Sequence, residues 1–263
     1  MTENDIANHE KATKLKTIDQ IRMGSYTCST WYYSPYPKGY DKIETLYICE
    51  FCLTFFVTLN ELERHNKHCL LTHPPGDEIY RHEKNSMFEV DGARNPIYCE
   101  NLCYLSKLFL DHKNLLFDTT PFLFYVLTEN DERGAHIVGY FSKDKESDKN
   151  YNLSCILALP FFQRRGYGKF LITFSYELSL IEGKPGTPEK PLSDLGRTSY
   201  TNWWIQKTID YIREREDEEV TIADISRDTC MRDRDILYAM VSLLVFLSSN
   251  DLIFLLIEKE RYD

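Results

Sequence analysis

Apolar residues along the chain alternate with polar and turn-forming residues in a way that predicts both strands and helices. Runs of β-forming residues over Phe122–Leu127 and Ala135–Phe141 predict two strands, and the turn residues between them predict a hairpin. A further strand is expected over Leu153–Leu159, where Pro160 ends it. Strands and helices in this mixed order predict an α+β protein.

Helical spacing of apolar residues dominates the rest of the chain. It predicts helices over Asn101–Asp111, Gly168–Leu180 and Thr198–Arg215. Thr221–Leu247 has the pattern of two helices joined by a turn, and Leu252–Ile257 that of a strand. This last part is similar to a small helix-turn-helix or winged-helix unit.

Composition narrows the class of protein. The chain has 263 residues, with 27% charged residues and a formal net charge of −10. That charge argues against nonspecific nucleic-acid binding and favours a basic partner. Met1–Ile18 is charged and unpatterned, which predicts a loosely held tail without a signal peptide. We also expect no membrane span, since no apolar run reaches about 18 residues.

Eight cysteines occur in the chain, and four metal-ligand residues are spaced as in a zinc finger. The spacing is Cys49-x2-Cys52-x12-His65-x3-Cys69, which places the last two side chains on one helix face. Three thiolates and one imidazole suit Zn(II), and Leu46–Cys69 predicts a ββα-like finger. A reduced cysteine pair in a core is the alternative.

The finger helix carries charges of both signs, at Glu61, Glu63 and Arg64. A DNA-reading helix is normally basic. A structural role for the finger is therefore favoured over DNA recognition.

A glycine-rich segment, QRRGYGK, follows the predicted strand and opens the next helix. Gly166 and Gly168 permit a close approach of the backbone to a ligand, and helix N-termini bind anions. Three cations accompany the glycines: Arg164, Arg165 and Lys169. The segment matches neither a Walker A loop nor the dinucleotide fingerprint. It predicts a pyrophosphate site, although a tight turn is the alternative on this motif alone.

Taken in order, the motifs of the chain resemble the catalytic domain of MYST-type histone acetyltransferases. The resemblance covers about Thr17 to Leu256. Besides the finger, it is carried by TWYYSPYP (Thr30–Pro37), YCENLCYLSKLFLDHKNL (Tyr98–Leu115), PFLFYVL (Pro121–Leu127), GAHIVGYFSKDKES (Gly134–Ser147), CILALPFFQRRGYGKFLI (Cys155–Ile172), FSYELS (Phe174–Ser179) and PEKPLSDLG (Pro188–Gly196).

This resemblance implies a GNAT-like acetyl-CoA-binding core over residues 91–196. It also implies a tail at 1–16, a zinc-finger region at 17–90 with the finger at 46–69, and a helix-turn-helix-like region at 197–263. The implied activity is transfer of acetyl from acetyl-CoA to histone lysines, with structural Zn(II). Implied partners are histone tails or nucleosomes and the subunits of a multisubunit nuclear complex, with weak or absent direct DNA binding.

The resemblance also assigns site residues. Glu189 matches the general base, Cys155 the cysteine beside the acetyl group, and Lys113 the autoacetylated lysine. The backbone of Ile156, Leu157 and Ala158 would contact the acetyl and pantetheine groups. The remaining cofactor contacts would come from Gln163, Arg164, Arg165, Gly166, Tyr167, Gly168, Lys169, Ser193 and Asn202.

The chemistry leaves two mechanisms open. A lysine side chain with a pKa of about 10.4 is protonated at neutral pH, so a base must remove its proton before it can attack. Glu189 would activate the lysine directly, or Cys155 would first carry the acetyl group. The Ile156 N–H is a candidate oxyanion donor. Two other functions stay open: a zinc-finger and winged-helix chromatin-binding module, and a catalytically weak scaffold of the same fold.

Overall fold

The computed structural model describes residues 16–40, 42–111, 118–215 and 219–249, which form two compact units. The first unit contains residues up to 146 and residues 153–171; the second contains residues 147–152 and those from 172 onward. Lys113, the strand expected over Leu252–Ile257 and nearly all of the predicted tail lie outside the described residues. Among the residues that are described, no helix has the length and apolar character needed to cross a membrane.

The first unit begins with a small sheet that carries the finger. Its strands are β1 (Ile18–Met23), β2 (Tyr26–Ser29), β3 (Ile43–Ile48) and β4 (Phe55–Phe56), followed by helix α1 (Leu59–Asn66). The strand order is β2-β1-β3-β4, with β1 and β3 parallel. Strands β3 and β4 with α1 form the predicted ββα arrangement.

A five-stranded antiparallel sheet forms the centre of the first unit. The elements that follow α1 are β5 (Asp77–His82), β6 (Asn85–Asp91), α2 (Pro96–Lys107), β7 (Phe122–Asp131), β8 (Gly134–Asp144), β9 (Tyr151–Leu153) and β10 (Cys155–Ala158). The order is β10-β8-β7-β6-β5. The predicted hairpin is β7–β8. Both strands are buried on both faces, which explains their nearly continuous apolar sequence.

The second unit is mainly helical. It contains most of α3 (Tyr167–Glu182), then β11 (Thr187–Pro188), α4 (Asp194–Arg213), α5 (Ile222–Thr229) and α6 (Asp233–Ser249). Strand β11 pairs with β9. The two predicted C-terminal helices are thus present as α5 and α6, and the predicted α+β class is confirmed.

Aromatic side chains hold the helices of the second unit together. The ring of Trp203 stacks on Tyr176 with centroids 4.3 Å apart, and its indole N–H donates to Thr173 Oγ1 at 2.8 Å. The indole N–H of Trp204 donates to the Tyr176 hydroxyl at 2.8 Å. Both indole N–H groups therefore have a hydrogen-bond acceptor although the rings are buried.

Two predictions about helices differ from the structure. Helix α2 begins at Pro96, ahead of the predicted Asn101, because proline suits the first turn of a helix. Helix α3 buries Leu171, Ile172 and Tyr176 most deeply, whereas the sequence predicts a buried face formed by Phe170, Leu171, Phe174 and Leu178. The true face includes two buried serines whose hydroxyls bond to carbonyls of their own helix.

Two strand predictions also differ. The strand expected over Leu153–Leu159 divides into β9 and β10 at Ser154, whose N–H donates to Ser142 O at 2.7 Å. Strand β5 was not predicted, because its six residues, DEIYRH, are mostly polar and exposed. An edge strand needs few apolar residues, so alternation gives little signal there.

Candidate active site and zinc centre

The four predicted zinc ligands converge in the first unit. The ligand atoms of Cys49, Cys52, His65 and Cys69 all lie within 4.8 Å of one another. The turn after β3 supplies the first two, and α1 orients His65 through a capping box at Thr58.

The distances between these side chains fit one tetrahedral zinc ion. Cys49 Sγ and Cys69 Sγ are 3.9 Å apart, and Cys52 Sγ is 3.2 Å from His65 Nε2. Two sulfurs bound to one zinc at about 2.3 Å lie about 3.8 Å apart. Four such ligands close the coordination sphere, which is the pattern of a structural site rather than a catalytic one.

The glycine-rich loop connects a short 3-10 turn (Pro160–Phe162) to helix α3. Arg164 and Gly166 adopt positive φ angles of 62° and 90°. The first hydrogen bond at the helix start runs from Phe170 N–H to Gly166 O at 3.0 Å. A Cβ added at Gly166 or Gly168 would meet no protein atom within 4 Å, so the backbone there is open to a ligand.

Charge around the loop favours an anion. The side chains of Arg164, Arg165 and Lys169 lie in exposed positions. The guanidinium of Arg165 lies 5.4 Å from the centre of the Phe162 ring. Together with the start of α3, these cations make a site suited to phosphate groups.

Strand β10 presents part of its backbone away from the sheet. Leu159 N–H donates to Val138 O at 2.9 Å, and the register pairs Leu157 with Tyr140. Antiparallel pairs alternate, so the N–H and C=O groups of Ile156 and Ala158 point away from β8. Gln163 Nε2 donates to Ala158 O at 3.2 Å on that side. A ligand can therefore bond to the exposed edge beside the loop.

Cys155 is the first residue of β10 and is half-buried. Its backbone N–H lies 3.3 Å from Ser142 Oγ. The thiol side chain thus belongs to the same strand as the outward-facing Ile156 N–H, the candidate oxyanion donor.

Glu189, Ser193 and Asn202 belong to the second unit. Glu189 directly follows β11 and is exposed. Ser193 caps helix α4, accepting from Gly196 N–H at 3.1 Å, and Asn202 is an exposed residue of the same helix. The predicted site residues are therefore divided between the two units.

Two partners of the loop segment, Glu129 and Tyr26, escaped the sequence analysis, which names Tyr167 itself as a cofactor contact. Tyr167, the first residue of α3, donates its hydroxyl hydrogen bond to the Glu129 carboxylate of β7. Burial, reinforced by that carboxylate, raises the pKa of Tyr167 to about 12, so the phenol remains a donor at neutral pH. Tyr26 packs on Phe161 with ring centroids 5.3 Å apart. No local sequence pattern links these distant positions.

The fold and site define a protein in which a zinc finger precedes an α+β domain with a glycine-rich loop suited to an anion. The MOZ/SAS family model matches residues 73–263, and the MYST family zinc finger domain matches residues 15–69. The chain therefore belongs to the MOZ/SAS family and carries the MYST-type finger. The predicted family resemblance is confirmed.

Named relatives support the same assignment. The chain is 53% identical over 238 residues to "Histone acetyltransferase of the MYST family 1" of Arabidopsis thaliana, covering 90% of this chain and 53% of that protein. It is 48% identical over 240 residues to "Histone acetyltransferase Tip60 homolog" of Caenorhabditis elegans, covering 90% and 52% respectively. The chain thus spans about half the length of these relatives.

Among solved structures, the chain is similar to an aminoglycoside acetyltransferase from an uncultured soil metagenomic sample in complex with trehalose. The match has 15% identity and a TM-score of 0.30, and it covers 52% of this chain and 93% of that one. A score this low does not establish a common fold.

Proposed function

We propose that this chain is a histone acetyltransferase that transfers an acetyl group from acetyl-CoA to the ε-amino group of a histone lysine. The observation that carries the proposal is the similarity to named histone acetyltransferases over 90% of the chain, which includes the finger and the glycine-rich loop. We also propose the division of the chain into tail, finger region, catalytic core and C-terminal region that the sequence predicts.

The geometry of the loop supports acetyl-CoA as the acetyl donor. Its pyrophosphate would lie against the start of α3, where Gly166 and Gly168 leave open space beside exposed cations. The amides of its pantetheine arm would bond to the outward-facing groups of Ile156 and Ala158, as a further strand bonds to a sheet edge. The thioester would then lie near Cys155, which begins the same strand.

Glu189 is the proposed general base. Its exposed carboxylate accepts the proton of the lysine ammonium, and the free amine then attacks the thioester carbonyl. The Ile156 N–H stabilises the negative charge that develops on the carbonyl oxygen. When the resulting intermediate collapses, its C–S bond breaks and the acetyl group stays on the lysine nitrogen. CoA leaves as a thiol that takes the proton still held by that nitrogen, and Glu189 returns its proton to solvent. In this mechanism Cys155 lines the site; in the competing mechanism it carries the acetyl group between two transfers.

The other family-derived assignments are proposals of the same kind. They are autoacetylation of Lys113, cofactor contacts from Ser193 and Asn202, nuclear localisation, and assembly into a multisubunit complex. Direct DNA binding is proposed to be weak, because the chain carries a net charge of −10.

Steady-state acetylation of histone peptides tests the proposal. We expect activity that saturates with acetyl-CoA and falls by about 100-fold or more in Glu189→Gln, since general base catalysis contributes about 10²–10⁴-fold. The matched control is Glu177→Gln, an exposed glutamate on α3. Absence of both acetyl-CoA binding and histone acetylation in the wild type would overturn the proposal.

Cys155→Ala separates the two mechanisms. Direct attack predicts that this variant retains most of its kcat, whereas an obligatory acetyl-cysteine predicts loss of turnover. Cys28→Ala is the control, because Cys28 is also half-buried and also lies in a strand. Mass spectrometry of the quenched enzyme would detect acetyl on Cys155 only in the second case.

A further inference from the structure

The segment that carries Glu189 pairs with the turn between helices α5 and α6. Gly186 forms an isolated parallel bridge with Met231, and its N–H donates to Cys230 O at 2.9 Å. On another side, a Cβ on Gly186 would lie only 2.6 Å from Asn152 Cβ of β9. The chain entering the Glu189 position is therefore closely packed within the second unit.

A buried carboxylate lies under the same segment. The side chain of Asp235, in the first turn of α6, is only 2% exposed. Its Oδ1 is 3.9 Å from Lys190 Nζ, which belongs to the residue after Glu189, and 3.9 Å from Arg234 Nε. Thr187, two residues before Glu189, is completely buried, and its hydroxyl lies close enough to the carboxyl group to offset part of the rise that burial causes in the pKa of Asp235, although neither Thr187 Oγ1 nor Asp235 Oδ2 has a hydrogen-bond partner among the described residues.

The charge state of Asp235 reflects this environment. Burial raises the pKa of the Asp235 carboxyl, while the Thr187 hydroxyl and the cations Lys190, Arg234 and Arg232 act in the opposite direction. A buried carboxylate with loose ion pairs adds little to stability and is costly to bury. A role in holding a particular geometry accounts for its presence better than a stabilising role does.

We propose that Asp235 is a positioning residue for Glu189. Through Thr187 and Lys190 it fixes the backbone on both sides of Glu189, so that the exposed carboxylate is held at one place. This inference rests on the proposed function, in which Glu189 is the base. Asp235 itself makes no contact with substrate in this scheme and acts only through the Glu189 segment.

Kinetics of single and double variants test the inference. Asp235→Asn keeps the shape of the side chain and removes its charge. We expect kcat to fall about 10-fold, since a small misplacement of a catalytic group costs up to about 10²-fold. The KM for acetyl-CoA should stay within about twofold, because the glycine-rich loop is not altered. Asp233→Asn, an exposed change in the same helical turn, is the control and should leave kcat unchanged.

The decisive measurement is Asp235→Asn in the Glu189→Gln background. If Asp235 acts through Glu189, the second substitution causes no further loss of kcat there. A full additional loss in that background would overturn the inference, and so would an unchanged kcat in folded Asp235→Asn. If Asp235→Asn does not fold, Lys190→Gln is used instead, because it removes the exposed partner of Asp235. The inference then requires that Lys190→Gln causes no further loss of kcat in the Glu189→Gln background.

The inference and the proposed function fail in different ways. Wild-type kcat in Glu189→Gln would remove Glu189 as the base, whatever Asp235 does. A slow Glu189→Gln together with a normal Asp235→Asn would leave the base assignment standing and reject only the positioning role.

Discussion

Substitution of Gly168 by alanine should separate cofactor binding from folding. Gly168 is the second residue of helix α3, and a Cβ there would meet no protein atom within 4 Å. Alanine is favoured over glycine in a helix by up to about 1 kcal/mol. In the first turn about half of that is expected, roughly 0.5 kcal/mol, which raises Tm by about 1–2 °C.

Binding of acetyl-CoA should change in the opposite direction. A phosphate oxygen bound to the helix start lies about 2.9 Å from a backbone N–H. A methyl group extending about 1.5 Å into the same space displaces it and breaks about one charge-assisted hydrogen bond. Such a bond contributes about 1.5–3 kcal/mol, so we expect affinity to fall by roughly 10- to 100-fold.

Calorimetric titration with CoA and a thermal melt measure the two effects on one sample. Glu177→Ala is the control, because it lies nine residues further along the exposed side of α3, about 14 Å away. That variant should bind CoA normally. Unchanged CoA affinity in Gly168→Ala would refute the placement of the pyrophosphate at this helix start.

Three further predictions follow from the structure. Purified protein should contain about one zinc per chain, and a strong chelator should lower Tm; a melt insensitive to zinc removal would contradict a structural role. Gly139→Ala should lower the free energy of unfolding in urea by about 1–3 kcal/mol, because the added Cβ would lie 2.7 Å from Leu157 O. An unchanged urea midpoint would contradict this, since it would mean that β10 shifts away at no cost in free energy. The Tyr211 hydroxyl, and after it Arg227, lower the pKa of Asp228 in the folded state. The ionised Asp228 carboxylate therefore stabilises the fold above about pH 4, and this stabilisation is lost as the pH falls below that value. Asp228→Asn should therefore flatten the decline of Tm between pH 5 and 3, relative to wild type.

The finger and the glycine-rich loop could be predicted because their chemistry is local. Ligand spacing alone specified the four residues that converge in the structure, from Cys49 to Cys69. The strand, the two glycines and the helix are likewise adjacent in sequence, so the pattern predicts a phosphate-binding loop from local signals alone. Runs of β-forming residues predicted the β7–β8 hairpin for the same reason, since strand propensity and turn residues are both short-range signals.

The partners of these residues could not be predicted, because tertiary packing brings them together. Glu129 lies 38 residues from Tyr167, and nothing in the local sequence of either residue points to the other. In the sequence alone, Asp235 is one more acidic residue in the first turn of a helix, where such residues are common. Only its burial against Thr187 and Lys190 distinguishes it.

Contacts between the finger and the central sheet favour a structural role for the zinc. Glu50, which lies between two zinc ligands, is bonded to Arg133 and to His136 Nδ1, the latter at 2.9 Å. The ring of Phe51 contacts His136 with centroids 5.0 Å apart. Both partners belong to the β7–β8 hairpin region, and β8 is the strand on which β10 pairs. Zinc removal should therefore disturb the strand that begins with Cys155, and we expect chelation to weaken CoA binding as well as the fold.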